Sequence, residues 1–283
     1  MSETSNDAAA AAFDDNASDF AAWQASPWGR LRYRLVAHTL AQVIAVLEPQ
    51  CRILDVGGAD GRDSVPLARQ GHYVTIVDQS DVFLRRACAS AEAVGAADRV
   101  RTVCCDIGRL VDRRLLTGDD EPRSAFDVVI CHNVLQYVAD PLLHIRNMMA
   151  LLRVGGLLSV MAPNPAMDVL ARAVRCTDPA GAFATLDAST VLSVTFCQQM
   201  RRITAVEGEQ MLVTCGARVT DRFGIRCVTD LIVDQDIKCD PDFFADLERL
   251  ELALCQREPY WRTAKFWQLV ALRTSSARRR RQQ

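Results

Sequence analysis

The stretch Ile53-Leu54-Asp55-Val56-Gly57-Gly58-Ala59-Asp60-Gly61 decides the fold of this chain. An apolar run that closes in glycines predicts a buried strand and a tight turn, with the next helix beginning at about Arg62. The stretch does not match the dinucleotide-binding motif, because its glycine spacing differs. It does not match the P-loop motif either, because no Gly-Lys-Ser/Thr follows. The acid before the glycines suits a ligand with an ammonium group, because it would repel a pyrophosphate. A plain strand-to-helix turn with a charge near the helix N-terminus is the structural alternative.

Outward from this stretch, short apolar runs alternate with helical stretches. We predict further strands at 73–77, 100–105, 126–131 and 157–162, and helices at 82–94 and 141–153. Such alternation is typical of βαβ units, whose parallel strands are covered by helices on both faces. Runs at 217–228 and 266–272 are expected to add two strands that could pair antiparallel at the end of the sheet. The predicted fold is therefore α/β, a doubly wound and mostly parallel seven-stranded sheet with a helical cap.

The predicted organisation follows from where this alternation starts and stops. Polar, Ala-rich sequence precedes the first helical pattern, Pro49 ends that pattern, and the alternation breaks after Pro163. No strand is predicted within the cap. We predict a disordered tail (1–17), an N-terminal helical segment (18–50), a ligand-binding core (51–164), a helical cap (165–200), the C-terminal part of the sheet (201–273) and a basic tail (274–283).

The composition is that of an ordinary globular chain. Its 283 residues are 49% hydrophobic and 24% charged, and 33 basic against 35 acidic side chains leave a net charge of −2. This balance excludes a histone-like nucleic-acid binder, although not a local basic patch. No apolar run reaches the length of about 18 residues that a membrane span needs, and the acidic start lacks the cationic region of a secretory signal. A cytoplasmic protein without a membrane partner is expected.

The cysteines indicate a reducing compartment. Eleven cysteines are scattered through the chain, mostly in apolar runs, and none forms a Cys-x-x-Cys pair. An odd number without such pairs predicts reduced thiols rather than disulfides. The same scatter predicts no zinc site, so no metal is expected.

Two more acids stand where predicted strands end. Asp78 follows the strand 73–77, about 20 residues past the glycines, where a carboxylate can accept hydrogen bonds from both hydroxyls of a ribose. Asp106 follows the strand 100–105, where a side chain can reach an adenine edge. Helix capping is the structural alternative for Asp78, although Ser80 can serve that role. Three acids at the carboxyl ends of three strands lie where open α/β sheets bind ligands.

With these residues the chain resembles the class I methyltransferases that use S-adenosyl-L-methionine. The resemblance extends from Arg52 to about Ala162 and implies the Rossmann-like methyltransferase fold. It further implies that the glycine loop contacts the methionine part of the cofactor, Asp78 the ribose and Asp106 the adenine. Asp55, the acid before the glycines, would lie at the ammonium group.

A further resemblance covers most of the chain. Four motifs are similar to those of the bacterial tRNA 5-carboxymethoxyuridine methyltransferases, a family that esterifies the carboxylate of a modified wobble uridine: Gly29–Arg32, LDVGGADG at 54–61, Cys131–Pro141 and Leu254–Tyr260. This resemblance implies cofactor contacts by Arg32, Gly57, Gly58, Asp78, Ile107 and His132. Arg32 would pair with the cofactor carboxylate, a task suited to a planar fork of donors.

The chain departs from that family's pattern in the predicted cap. A lysine-rich run after the fifth strand would serve RNA phosphates, but Met167–Leu170 and Ala180–Thr195 stand there, apolar and nearly uncharged. A longer apolar cap suits a compact acceptor. Arg201, Arg202 and the C-terminal arginines remain candidate phosphate contacts.

The acceptor determines whether the reaction needs a base. A carboxylate is already ionised, whereas a phenol or alcohol would benefit from a general base, for which histidine is the usual residue. His132 and Asn164 are the candidate catalytic residues. His132 ends the fourth strand and is expected to contact the cofactor or acceptor rather than act as the base. Asn164 could donate to a carboxylate oxygen of the acceptor, although a proline-flanked turn explains it almost as well. His144, on the next helix, is expected at the helix surface.

The sequence therefore predicts a methyltransferase that uses S-adenosyl-L-methionine. We favour O-methylation of a small-molecule acceptor, with a carboxylate that becomes a methyl ester as the candidate group, because the basic run is missing. The alternative is carboxyl methylation of 5-carboxymethoxyuridine in tRNA. A binding module that retains the fold without catalysis is disfavoured, since Asp78 and the glycines are present.

Overall fold

A seven-stranded sheet carries the fold of this protein, whose computed structural model describes residues 14–111, 116, 126–193 and 195–275. The strands are β1 (Arg52–Val56), β2 (Tyr73–Asp78), β3 (Val100–Cys104), β4 (Phe126–His132), β5 (Leu152–Pro163), β6 (Thr190–Leu192), β7 (Gln199–Arg201), β8 (Ala217–Ile225) and β9 (Phe266–Arg273). The order in the sheet is β3-β2-β1-β4-β5-β9-β8, with β1 to β5 parallel and β9 antiparallel to both β5 and β8. The prediction of a mostly parallel seven-stranded sheet is confirmed.

Helices lie between these strands. Those of the described residues are α1 (Ala17–Ala25), α2 (Pro27–Ile44), α3 (Val65–Arg69), α4 (Asp81–Ala93), α5 (Pro141–Leu151), α6 (Pro165–Val174), α7 (Pro179–Ala184), α8 (Ala205–Thr214), α9 (Pro241–Leu254) and α10 (Tyr260–Thr263). Short 3₁₀ turns occur at Ala97–Arg99, Ile107–Val111, Leu135–Tyr137, Thr229–Leu231 and Asp236–Cys239. None of the helices in this part of the chain is long and apolar enough to cross a membrane.

Successive side chains of the buried strands alternate between two cores, one on each face of the sheet. Ile53 of β1 belongs to the core that contains Leu31 and Leu35 of α2. Leu54 belongs to the opposite core, which contains Met148 of α5. Because both faces are covered, β1 is apolar on both sides except at Arg52, where it begins, and at Asp55, as the central strands of parallel sheets are.

Two helices form the N-terminal segment that ends before Pro49. The Ser26 hydroxyl caps α2 by accepting the Gly29 N–H at 3.1 Å, and Pro27 occupies the first helical position. A Cβ atom at Gly29 would collide with the carbonyl oxygen of Trp23, so the close approach of α1 and α2 requires a glycine there.

Three local features differ from the expectation. The helix after the glycines begins at Val65 rather than at about Arg62, because Gly61 adopts a left-handed φ of +73° that helical backbone does not allow. β5 begins at Leu152, before the predicted start at 157, and continues past the glycine pair. The cap contains the hairpin β6–β7, where no strand is predicted, because its side chains are largely exposed and leave no buried apolar run.

The predicted tails lie mostly outside the described residues. Of the tail 1–17 the structure describes 14–17, and α1 begins at Ala17. Of the basic tail 274–283 it describes only 274 and 275. The disorder predicted for residues 1–17 therefore stays a prediction.

A buried carboxylate ties the C-terminal region together. Glu251 of α9 is fully buried, and its oxygens accept the backbone N–H groups of Cys227, Val228 and Thr229 and the hydroxyl of Thr229. These donors replace the water that an ionised carboxylate loses on burial. Glu251 therefore holds α9 against the turn that follows β8.

We expect Glu251→Ala to lower the free energy of unfolding by about 3–5 kcal/mol, since buried backbone donors lose their acceptor. Glu248 on the same helix pairs with the exposed Arg34, so Glu248→Ala should cost less than about 1 kcal/mol. Urea denaturation of the two variants measures the difference. Equal losses would contradict the structural role of Glu251.

Candidate active site

A cavity of about 550 Å³ lies at the carboxyl ends of β1, β2 and β4. The structure brings to it all eight residues predicted to bind the cofactor: Arg32, Asp55, Gly57, Gly58, Asp78, Asp106, Ile107 and His132. His144 also lines the cavity, although the sequence predicts it at the helix surface. That the eight residues contact the cofactor stays a prediction.

The glycine loop forms one wall, where the backbone itself meets the cavity. The N–H groups of Gly57 and Gly58 donate to the carbonyl of Val77 at 2.7 and 3.2 Å. Gly57 has a left-handed φ of +66°, and a Cβ atom there would lie 2.5 Å from Cγ2 of Val134. A Cβ atom at Gly58 would lie 2.5 Å from Oδ2 of Asp55. Side chains are therefore excluded at both positions, and a ligand can approach the backbone closely.

Asp55 lies buried beside this loop with one carboxylate oxygen unpaired. Its Oδ2 atom has no hydrogen-bond partner in the part of the chain that the structure describes. Burial raises the pKa of Asp55 to about 7, and the negative charges of Asp63 and Asp78 add to the increase. A positively charged ligand group at this oxygen would favour the ionised form.

Backbone N–H groups orient the acids at the ends of β2 and β3. Asp78 accepts hydrogen bonds from Ala59 at 3.0 Å and from Ser80 at 2.9 Å. Burial raises the pKa of Asp78, and these hydrogen bonds oppose the increase. The Ser80 hydroxyl caps α4, so Asp78 is not needed for that task. Asp106 accepts the Gly108 N–H at 2.6 Å.

Arg32 is paired with Asp63, a residue that the sequence does not single out. Nη1 and Nη2 of Arg32 donate to the two carboxylate oxygens at 2.6 and 2.8 Å, and both side chains are less than a tenth exposed. Burial by itself raises the pKa of Asp63, but Arg32 and His132 outweigh it and lower the pKa to about 2. Nε of Arg32 has no partner among the described residues. The predicted pairing of Arg32 with the cofactor carboxylate stays a prediction, and Nε is the atom of Arg32 that is left without a partner for it.

His132 extends this network into the sheet. Its Nδ1 lies 2.9 Å from Oδ2 of Asp63, and its Nε2 lies 2.8 Å from the Ser159 hydroxyl. An ionised carboxylate only accepts, so Nδ1 carries the hydrogen, and burial lowers the pKa of His132 despite Asp63. Neutral Nε2 therefore accepts the hydrogen of the Ser159 hydroxyl. The oxygen of that hydroxyl accepts from Nε2 of Gln268 at 3.0 Å. Oε1 of Gln268 in turn accepts from the Thr39 hydroxyl at 2.8 Å. Both ring nitrogens are engaged, which leaves His132 without a free basic atom.

Asn164 is not brought to the cavity. Its Oδ1 accepts the Ala166 N–H at 3.1 Å and caps α6, while its Nδ2 donates to the Arg262 carbonyl at 2.8 Å. Both ends of the amide are thus used within the fold. The structure gives Asn164 a capping role, and its contact with the acceptor stays a prediction.

Aromatic rings from separate elements line the cavity. The Phe20 ring of α1 lies 5.8 Å from Trp23, 5.6 Å from Phe83 of α4 and 5.3 Å from Phe196 in the hairpin loop. The Tyr137 ring meets Phe196 edge-on at 6.4 Å. All five rings belong to the lining. Helix α1 and the hairpin loop therefore meet above the sheet and bound the cavity.

Polar contacts hold α1 in this place. Nε2 of the buried Gln24 donates to the Tyr33 hydroxyl at 2.9 Å and to Oδ1 of Asp60 at 3.1 Å. Arg86 of α4 donates to the Ala17 carbonyl at 3.1 Å. The sequence carries no signal for these contacts, because helical spacing shows which side of α1 is apolar but not what it packs against.

Known proteins resemble this chain in sequence and in structure. Residues 54–158 match the family model described as a methyltransferase domain. The chain is 26% identical over 272 residues to the tRNA 5-carboxymethoxyuridine methyltransferase of Escherichia coli strain K12, covering 93% of this chain and 97% of that protein. It is 29% identical over 176 residues to a ubiquinone biosynthesis O-methyltransferase of Rhizobium etli, covering 62% of each. The 1,6-didemethyltoxoflavin-N1-methyltransferase of Burkholderia thailandensis, solved with 1,6-didemethyltoxoflavin and S-adenosylhomocysteine, superposes with a TM-score of 0.57 and 17% identity, covering 97% of this chain and 92% of that one.

The fold and these similarities together define an S-adenosyl-L-methionine-dependent methyltransferase of class I. Along nearly its whole length the protein is similar to the bacterial tRNA 5-carboxymethoxyuridine methyltransferase. Its cofactor is S-adenosyl-L-methionine, as the motifs predict.

The cavity residues fit this cofactor. Its methionine part carries both an ammonium and a carboxylate group. The cavity offers two buried acceptors, Oδ2 of Asp55 and Oδ1 of Asn133, and the buried donor Nε of Arg32, each without a partner among the described residues. The glycine backbone leaves space beside them, and the Asp78 carboxylate can accept from ribose hydroxyls. Within the described ranges no cluster of three or more His, Cys, Asp or Glu side chains could hold a metal ion.

We expect Gly57→Ala to weaken binding of S-adenosyl-L-methionine by more than about tenfold, because the added methyl group displaces the loop from Val134. Gly95 is the matched control, since its φ of +69° is similar and nothing lies within 4 Å of the place that its Cβ atom would take. Gly95→Ala should lower only the free energy of unfolding, by the backbone cost of about 1–2 kcal/mol, and leave cofactor affinity unchanged. Calorimetric titration measures both affinities, and an unchanged affinity in Gly57→Ala would remove the loop from the cofactor site.

The raised pKa of Asp55 predicts that cofactor binding releases a proton. Below a pH of about 7 the ligand-free protein holds a proton on Asp55, and an ammonium group at Oδ2 favours its loss. Release should approach one proton at about pH 6 and vanish at about pH 8.5. Titration calorimetry in buffers of different ionisation enthalpy counts the protons. The same release in Asp55→Asn would assign it to another group.

Proposed function

We propose that this protein transfers a methyl group from S-adenosyl-L-methionine to an oxygen atom of a compact small molecule. The charge of the cap carries this proposal. Residues 165–200 contain three aspartates and two arginines, and Arg172 is already paired with Asp178. A surface that binds RNA needs cations facing the phosphates, and this segment offers few.

The lining of the cavity supports the same class of acceptor. Apolar and aromatic side chains dominate the part beyond the glycine loop: Phe20, Trp23, Tyr137, Val138, Leu143 and Phe196. A volume of about 550 Å³ falls in the range of small-molecule sites. Apolar walls exclude water, which favours a displacement whose rate depends on positioning and desolvation.

We assign the cofactor contacts on the geometry of this cavity. The glycine loop and Asp55 would hold the methionine part, with Nε of Arg32 at its carboxylate. Asp78 would accept from the ribose hydroxyls. Asp106 and Ile107, which line the cavity after β3, would hold the adenine. His132 would act by fixing Asp63, and through it Arg32, because both of its nitrogens are engaged.

Methylation of tRNA is the second candidate. The similarity over 272 residues to the Escherichia coli enzyme favours it, since that enzyme is named for 5-carboxymethoxyuridine. Of the two candidate phosphate contacts in the hairpin region, Arg201 is exposed and donates to the Ala139 carbonyl at 3.1 Å. Arg202 is committed to backbone carbonyls of the cap. The C-terminal arginines at 278–281 lie outside the described residues.

We place the reaction in the cytoplasm. None of the eleven cysteines, all of which lie among the described residues, takes part in a disulfide. Thiols in this number stay reduced in a reducing compartment.

Incubation with labelled S-adenosyl-L-methionine tests the proposal. Bulk tRNA and a small-molecule cell extract are offered separately, and we expect label in the small-molecule fraction only. Release of the label by mild base would identify a methyl ester, whereas a stable product would identify an ether. Asp78→Ala, which loses the predicted ribose contact, should transfer little label to either. Label in tRNA alone would establish the second candidate instead.

A further inference from the structure

The cavity contains a histidine that the cofactor contacts leave unused. His144 lies in the first turn of α5 and lines the cavity next to Leu143. Its Nδ1 is 2.8 Å from the carbonyl oxygen of Asp140. A carbonyl oxygen only accepts, so Nδ1 carries the hydrogen, and the neutral ring keeps its lone pair on Nε2. Nε2 has no hydrogen-bond partner among the residues that the structure describes.

This arrangement distinguishes the two histidines of the cavity. His132 uses its Nε2 lone pair to accept from the Ser159 hydroxyl and its Nδ1 hydrogen to bind Asp63. His144 uses only its Nδ1 hydrogen. Of the two, His144 alone presents a basic nitrogen that a ligand could use.

The charges of the cavity favour a neutral acceptor. Both arginines of the lining are paired: Arg32 with Asp63, and Arg62 with Asp60 at 3.2 Å. An anionic acceptor would therefore enter beside aspartates, with the sulfonium of the cofactor but no unpaired cation of the described lining residues to balance its charge. A neutral hydroxyl group avoids that repulsion. It must, however, lose its proton when its oxygen is methylated, so it needs a base.

The aromatic rings of the cavity favour a flat acceptor. Tyr137 lies in the 3₁₀ turn before α5 and meets Phe196 edge-on at 6.4 Å. Phe196 in turn lies 5.3 Å from Phe20 of α1. Three rings from three segments thus line the cavity that His144 also lines. Such walls bind an aromatic ring through stacked and edge-on contacts.

Building on the O-methylation proposed above, we propose that the acceptor is a neutral aromatic hydroxyl compound and that Nε2 of His144 is its general base. The acceptor oxygen bonds to the methyl carbon as the carbon–sulfur bond breaks, and the electron pair of that bond stays on sulfur. The hydroxyl proton passes to Nε2. The Asp140 carbonyl, which accepts the Nδ1 hydrogen, stabilises the imidazolium that results.

Two acceptors and two variants test this assignment. Catechol keeps its proton near neutral pH, whereas 4-nitrocatechol is ionised under mildly alkaline conditions and needs no base. His144→Asn keeps a donor near the Nδ1 position but has no atom at the Nε2 position. His38→Asn is the matched control, because His38 lies exposed on α2 and contacts Gln42.

We expect His144→Asn to lower kcat on catechol by at least about 100-fold, while its rate on 4-nitrocatechol stays within about threefold of the parent. Its affinity for S-adenosyl-L-methionine should be unchanged, and His38→Asn should match the parent on both acceptors. Equal losses on the two acceptors would overturn the role of His144 as the base.

Failure of the acceptor class is distinguishable from failure of the proposed function. One outcome is that the parent protein methylates neither catechol nor 4-nitrocatechol while label enters the small-molecule extract. In that case the aromatic hydroxyl class is wrong and small-molecule O-methylation stands. If no small-molecule fraction takes up label, small-molecule O-methylation itself is wrong, and His144 loses its assigned acceptor with it.

Discussion

The buried ion pair between Arg32 and Asp63 is the interaction on which the rest of this site depends. Moving two charges out of water costs several kcal/mol per ion, and only good geometry offsets it. Here two hydrogen bonds at 2.6 and 2.8 Å and the Nδ1 hydrogen of His132 supply that geometry. The pair joins α2 to the loop after β1 and to the end of β4. Through Ser159 and Gln268 the same network reaches β5 and β9.

This network also determines which groups remain for chemistry. Because Asp63 stays ionised and His132 stays neutral, the hydrogen bonds run in one consistent direction and satisfy both nitrogens of the ring. Buried polar atoms without partners in the described chain, among them Nε of Arg32 and Oδ2 of Asp55, then remain for the cofactor contacts that we propose. The proposed base, His144, lies outside the network, where a proton transfer would leave the ion pair intact.

The sequence was sufficient for the sheet and for the positions of the acids, but not for their partners. Strands β1, β2 and β4 follow from short, largely apolar runs, since a strand covered on both faces must be largely apolar on both. The edge strand β3 is only partly buried. Asp55, Asp78 and Asp106 follow from their place at strand ends. Asp63 was missed because the helix was expected from Arg62, whereas Gly61 delays its start to Val65 and leaves Asp63 in a turn. The acceptor contact predicted for Asn164 rests only on its position at the end of a strand. The Arg262 carbonyl that accepts its hydrogen bond is distant in the chain, so the sequence gives no sign of that contact.

The sequence by itself determined the class of protein, because strand periodicity and the glycine turn depend on neighbouring residues. It also predicted which residues line one cavity, since the ends of parallel strands meet at one edge of a sheet. Only the tertiary structure decided that Arg32 is shared with Asp63, that His132 is fully hydrogen-bonded and that His144 lines the cavity. It also decided that α1 and the hairpin loop bring Phe20 and Phe196 together. These outcomes depend on contacts between residues far apart in the chain, which no local pattern encodes.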